Sequence, residues 1–222
     1  ENHDEQRFGS QQYAGDPSLV IPSLVVSSFI STGPMMIYAG QEIGEQAKDA
    51  EGFSGNDGRT TIFDYWSIPT IRRWMNSGNW DSELLTSQEQ WLRDKYRTVL
   101  TICNQEKAIS RGRFFDLMYV NYENRTLNPH RQYTFLRSCD DETLLIAVNF
   151  DSNPCNLKIN IPLHAFETLG IPQGDCVAVD LLSHDMMRKH LSPDLPFETE
   201  IGPYDAVVWK IKHKNVLQRY KK

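Results

Sequence analysis

Gly33-Pro34-Met35-Met36-Ile37-Tyr38-Ala39-Gly40-Gln41-Glu42 is the stretch on which the fold of this chain turns. Met35 to Ala39 run without a charged residue and stop at Gly40, a pattern that predicts a short strand buried on both faces. Upstream, Asp16 followed by Pro17 is an N-cap with proline at the first helical position. The apolar residues Leu24, Val25 and Phe29 carry that helix toward Gly33, with a kink expected at Pro22. A helix feeding a fully buried strand points to an α/β layer.

Downstream of the strand, Gly40 to Ile68 is rich in glycine and acid and has no sustained period. It reads as a long loop with short turns, including Asn56-Asp57-Gly58, and loops of that length in compact domains are usually functional. A second helix is expected from Ile68 to Met75. A third begins at Thr86, which forms a capping box with Glu89, and continues through Leu92, Tyr96, Val99 and Cys103.

Beyond about Arg111 the period becomes alternating. Leu157, Ile159 and Ile161 alternate with Lys158 and Asn160, Val177 and Val179 with Ala178 and Asp180, and Val207, Trp209 and Ile211 with Val208, Lys210 and Lys212. Phe114 to Val120, Tyr133 to Arg137 and Leu144 to Phe150 also read as strands, with a turn at Asp151-Ser152-Asn153-Pro154. The expected boundary lies at residues 110–113, with an antiparallel β-sandwich after it.

With 222 residues, 40% of them apolar, the chain can bury a substantial core. Its net charge of −6 and lack of a basic stripe argue against nucleic acid as a partner. The basic residues from Lys212 to Lys222 read as a solvated tail. Four separated cysteines, Cys103, Cys139, Cys155 and Cys176, contain no CxxC pair and read as free thiols. No apolar run reaches the roughly 18 to 20 residues that span a bilayer. The polar opening, ENHDEQR, reads as a position inside a longer protein, so that any targeting signal lies upstream of Glu1 and the location is left open.

Candidate chemistry concentrates near the start. Asn2, His3 and Asp4 donate and accept hydrogen bonds in several directions, with Arg7 close in sequence to hold a carboxylate ionised, a combination suited to a hydroxyl-rich ligand. They are equally ordinary turn and cap residues. Glu42, at the end of the expected strand, and Glu45 sit where α/β enzymes place carboxylates; the competing reading is that Glu42 braces the loop. Tyr65 and Trp66 can stack on a pyranose ring, whereas Tyr38, Phe63, Trp74 and Trp80 are as well explained by packing. Asn124-Arg125-Thr126 fits a glycosylation acceptor, a pattern common by chance.

Taken together, these segments resemble the end of the catalytic barrel and the following C-terminal domain of the α-amylase family. Glu1-Asn2-His3-Asp4 resembles the motif at the end of the seventh barrel strand, and Gly33 to Glu42 resembles the eighth strand. Gly58 to Trp66 and Leu85 to Leu117 are similar to the eighth loop and last helix of bacterial maltodextrin-acting members, and Leu144 to Phe150 and Ile201 to Ile211 to strands of the β-sandwich. The resemblance implies an α+β chain in two parts: residues 1–111 as the closing segment of a (β/α)8 barrel and residues 112–222 as the sandwich.

The resemblance further implies that Asp4 stabilises the transition state and that His3, with Asn2 and Arg7 beside it and Tyr65 and Trp66 in the loop, contacts an α-glucan such as starch or a maltooligosaccharide. It gives Glu42 a structural role. The family's nucleophile and general acid come from earlier strands and match no residue here, so the missing N-terminal part of the barrel is an implied partner and the chain alone is expected to be inactive. A calcium site, if any, belongs to the longer protein, and no cofactor is expected here. Transglycosylase or branching activity on the same scaffold, and a sandwich that either binds glucan or only braces the barrel, stay open as alternatives.

Overall fold

The computed structural model describes residues 1–48, 56–63 and 67–213. The chain divides into two compact units: Glu1–Ile21 with Pro34–Thr98, and Pro22–Gly33 with Val99–Lys222.

In the first unit, the Asp16 side chain accepts a hydrogen bond from the Ser18 N–H at 2.8 Å and starts a 3-10 turn, Pro17–Val20. The chain then passes into helix α1, Ile21–Phe29, whose body belongs to the second unit. The change of helix type at Ile21, one residue before Pro22, takes the place of the expected kink, because proline tolerates the first turn of an α-helix and not its interior. Helix α2, Pro69–Met75, again carries proline at its first position. Helix α3, Ser87–Gln105, opens with the expected capping box: the Glu89 carboxylate accepts the Thr86 N–H at 2.8 Å and the Thr86 hydroxyl accepts the Glu89 N–H at 3.3 Å. Leu92, Tyr96 and Val99 form its buried face, joined by Ile102.

The expected strand at Met35 to Ala39 is not there. These residues make no sheet pairing, Ala39 lies in a turn, and Met36 is 71% exposed. A continuous apolar run becomes a buried strand only when neighbouring strands cover it, and no described strand lies alongside this one.

The second unit is built on antiparallel sheet, as the alternating patterns predicted. A six-stranded sheet has the order β1 (Arg113–Asp116), β2 (Gln132–Cys139), β3 (Glu142–Asn149), β8 (Asp205–His213), β5 (Gly174–Asp180) and β6 (Met186–Leu191). A separate pair joins β4 (Cys155–Ile159) to β7 (Phe197–Ile201). The register sets Leu145 opposite Trp209 and Ala147 opposite Val207. Their side chains share one core with Leu157, Ile159 and Phe197 from the two-stranded sheet and Phe166 from a further helix, Leu163–Leu169. The buried Trp209 indole is satisfied by donating to the Thr199 hydroxyl at 2.9 Å.

Central strand β3 is covered on both faces. Behind the sheet, the Arg137 guanidinium is 2% exposed and donates to four backbone carbonyls, those of Ile30, Ala108, Ile109 and Gly112, at 2.8–3.1 Å. Gly112 is required at this approach, since a Cβ there would lie 2.2 Å from the Ala108 oxygen. Lys210 on β8 pairs with Glu106 and, at 3.1 Å, with Glu142. Two readings of this half need correction. The strand expected from Phe114 to Val120 ends at Asp116, whose carboxylate accepts the Met118 N–H at 2.9 Å and turns the chain into a short helix, Met118–Asn121. On β5 the deeply buried positions are Cys176, Ala178 and Asp180, with Val177 and Val179 only half-buried on the other face.

Among the described residues no helix is long and apolar enough to cross a membrane.

Candidate functional site

The N-terminal segment is fastened by Arg7. Its side chain is 1% exposed, and its three kinds of nitrogen are all used: Nε donates to the Thr60 hydroxyl at 2.8 Å, one terminal nitrogen to Glu1 Oε2 at 3.0 Å, and the other to the Ala39 carbonyl at 2.7 Å. The guanidinium also lies 4.0 Å from the centre of the Tyr38 ring. Tyr38 in turn donates its hydroxyl to the Thr60 carbonyl, and its N–H is accepted by the Gln41 side chain. Gln41 donates to the Tyr96 hydroxyl on α3, a phenol pushed up by burial. Glu1 completes the clamp by accepting the Phe8 N–H at 2.8 Å.

This arrangement explains why the Met35–Ala39 stretch keeps its path without a sheet: its backbone and aromatic ring are tied to Arg7 and Gln41. The carboxylate that Arg7 holds is Glu1 and not Asp4, a pairing that sequence proximity could not distinguish. Arg7 also receives its segment's other constraint, since its N–H donates to the Gly58 carbonyl at 2.7 Å. Gly58 has φ +81°, and a Cβ there would meet Gln12 and Ser10 side-chain atoms at 2.7–2.8 Å, so the Asn56-Asp57-Gly58 turn depends on glycine.

The clamp leaves Asn2, His3 and Asp4 grouped at the surface. Asn2 Oδ1 accepts the Asp4 N–H at 2.8 Å, an Asx turn that fixes the Asp4 backbone. His3 Nε2 stands 3.4 Å from Asp4 Oδ2, with the two side chains 43% and 75% exposed. They therefore offer a carboxylate and an imidazole that an incoming ligand can reach. Arg59, which sequence reasoning did not single out, is paired with Asp57 at 2.6 Å; that bond is the main reason its pKa is raised, and the negative charges of Asp4 and Glu5 add to the effect. Its signal is only a basic residue next to a turn, which is no signal at the level of sequence.

Glu42 and Glu45 lie in the loop after Gly40. Burial pushes the Glu42 carboxyl up, and its Oε2 has no hydrogen-bond partner among the described residues. Glu45 is 3% exposed and caps the Ala47 N–H. Of the other aromatics, Trp74 and Trp80 meet edge to face at 5.3 Å, and Phe63 is 67% exposed. Tyr65 and Trp66 lie outside the described residues. Among the described residues no three His, Cys, Asp or Glu side chains gather where they could hold a metal ion.

No family model matches the sequence, and no curated protein matches it. Solved structures do match the fold. AmyP in complex with maltose is similar over 95% of this chain, with 18% identity and a TM-score of 0.61. An Anoxybacillus α-amylase is similar over 96%, with 20% identity and a TM-score of 0.57. The γ-CGTase of an alkalophilic bacillus, clarkii, is similar over 96%, with 18% identity and a TM-score of 0.57. The chain spans 39%, 37% and 26% of those three chains, respectively. At these identities the likeness establishes a shared fold over nearly the whole chain.

Proposed function

We propose that this chain is the C-terminal portion of a retaining α-amylase-type glycoside hydrolase acting on α-glucans. In this reading residues 1–111 close a (β/α)8 barrel, residues 112–222 form its β-sandwich domain, and Asp4 and His3 form one wall of the active site. The observation that carries the proposal is the placement of Asn2, His3 and Asp4. Arg7 and Glu1 tie their segment down while the His3 and Asp4 side chains stay open to a ligand. The similarity of fold to AmyP bound to maltose supports the choice of ligand.

The chemistry follows from the groups present. Hydrolysis of a glycosidic bond passes through an oxocarbenium-like transition state, whose positive charge a nearby carboxylate stabilises more than it does the neutral ground state. Asp4 is that carboxylate, accepting sugar hydroxyls as the ring distorts, and His3 hydrogen-bonds the same sugar. Asn2 and Arg7 act as positioning residues, through the Asx turn and through Glu1. The nucleophile and the general acid, about 5 Å apart in retaining enzymes, come from sequence outside this chain.

The test is kinetic. In the longer protein that carries both carboxyl groups, Asp4→Asn lowers kcat on maltoheptaose by roughly 10²–10³-fold, the loss expected when one preorganised electrostatic group is removed, with a smaller change in KM. A variant with unchanged kcat rules out this role for Asp4.

A further inference from the structure

Among the described residues Tyr13 is the most exposed aromatic side chain, at 69%, yet the backbone that carries it is fixed. The Ser10 N–H donates to the Arg7 carbonyl and the Tyr13 N–H to the Ser10 carbonyl, both at 3.1 Å. The Ala14 N–H donates to the Phe8 carbonyl at 3.1 Å and the Gly15 N–H to the Ser10 carbonyl at 2.8 Å. The Gln46 amide ties the turn to the loop after Gly40 by donating to the Gly9 carbonyl at 2.9 Å. A Cβ at Gly9 would lie 2.8 Å from the Pro17 ring, so the turn is also closely packed at its base. One side of the Tyr13 ring leans on Phe8, with centroids 5.5 Å apart and planes tilted by 58°. The rest stands in water and forgoes the burial by which aromatic rings ordinarily stabilise a fold.

The same bonds keep this ring on the segment of Asn2, His3 and Asp4. Nine extended residues could carry Tyr13 roughly 30 Å from Asp4. The bond from Ala14 to Phe8 folds the chain back instead, and the Phe8 N–H is itself bonded to Glu1. The turn also borders a hollow of about 290 Å³, whose polar lining is Gln11, Gln12, Gln46, Asn56 and Lys48. Primary amides donate and accept hydrogen bonds, as sugar hydroxyls do. Lys48 is the one charged side chain in that lining, so no cluster of charge there selects an ion. An exposed aromatic face on the same turn as such amides matches a ring with an apolar C–H face and a rim of hydroxyls, which is the form of a pyranose.

We infer that Tyr13 is a specificity-determining residue: its ring stacks on a second glucose of the bound chain, away from the reacting bond, and selects longer α-glucans over short ones. This rests on the hydrolase reading proposed above. Kinetics of the longer protein on maltoheptaose and on maltotriose test it. Tyr13→Ala raises KM for maltoheptaose roughly five- to tenfold, with kcat unchanged, and leaves kcat/KM for maltotriose as it was. Tyr13→Phe, which keeps the ring, restores the KM. An unchanged KM for maltoheptaose in Tyr13→Ala, the outcome when another part of the protein covers the ring, overturns the inference. An equal loss on both substrates, or the same loss in Tyr13→Phe, also overturns it. Asp4→Asn in the same assay separates the two claims. A lowered kcat there, with no effect of Tyr13→Ala, keeps the hydrolase and removes the stacking role, whereas an unsubstituted protein without turnover removes both.

Discussion

Replacing Arg7 by methionine removes the guanidinium contacts that fasten the N-terminal segment while keeping a side chain of similar length. The guanidinium's partners are the Glu1 carboxylate, the Thr60 hydroxyl, the Ala39 carbonyl and the Tyr38 ring, and Glu1 is itself only 10% exposed. Breaking a buried ion pair from one side costs about 3–5 kcal/mol, because the surviving charge stays buried without its partner. The individual hydrogen bonds, at about 1.5–3 kcal/mol each when one group is charged, are not additive to that figure, since they share one guanidinium. A local opening energy lowered by about 3–5 kcal/mol speeds exchange of the amides it protects by roughly 10²–10⁴-fold. The reporters are the N–H groups of Arg7 and Phe8, bonded to the Gly58 carbonyl and to Glu1. Native-state hydrogen exchange reads them directly, with the amides of β3 as an internal reference that does not change. Less than tenfold acceleration at Phe8 in Arg7→Met refutes the claim that Arg7 holds this segment.

Lys210→Met leaves Glu106 and Glu142 side by side without their shared cation, and burial already pushes the Glu106 carboxyl up. Urea denaturation then shows a loss of about 3 kcal/mol at pH 7 that shrinks in acid as the raised Glu106 carboxyl takes up its proton; a pH-independent loss contradicts the assignment. Glu42→Gln is stabilising at pH 7. The folded-state pKa of Glu42 is raised above its ordinary 4.5, chiefly by burial, so the stability it contributes is complete below about 4.5 and is lost as pH rises through the folded value. The gain from the amide therefore disappears in acid, and an equal gain at pH 3.5 and pH 7 refutes the burial explanation. Thr86→Ala removes half of the capping box at the start of α3 and costs about 1 kcal/mol, measurable as a shift in denaturation midpoint that Thr86→Ser does not produce.

Local rules were legible where the chemistry is local. The Thr86 and Glu89 capping box, the proline-led helix starts, the apolar run of β3 and the alternation on β4 and β8 all depend on residues within a few positions of one another. What failed depends on partners distant in sequence. Met35 to Ala39 has the composition of a buried strand, yet its burial requires neighbours that no pattern within it specifies. Strand β6, Met186–Leu191, is an edge with one buried residue, Leu191, and carries no period to detect. Arg7 illustrates the same limit at the site, because its burial and its bond to Glu1 across a turn are set by Thr60 and Ala39, which lie 53 and 32 residues away. The grouping of Asn2, His3 and Asp4 was legible because the three are contiguous, and their exposure was not.

Reducing-end release from maltoheptaose measures the central claim most directly, comparing this chain alone with the same chain joined to the proposed remainder of the barrel. The account predicts no turnover by the isolated chain, and turnover by the joined protein that depends on Asp4. Hydrolysis by the isolated chain, free of contaminating amylase, contradicts the assignment of the nucleophile and acid to sequence outside it.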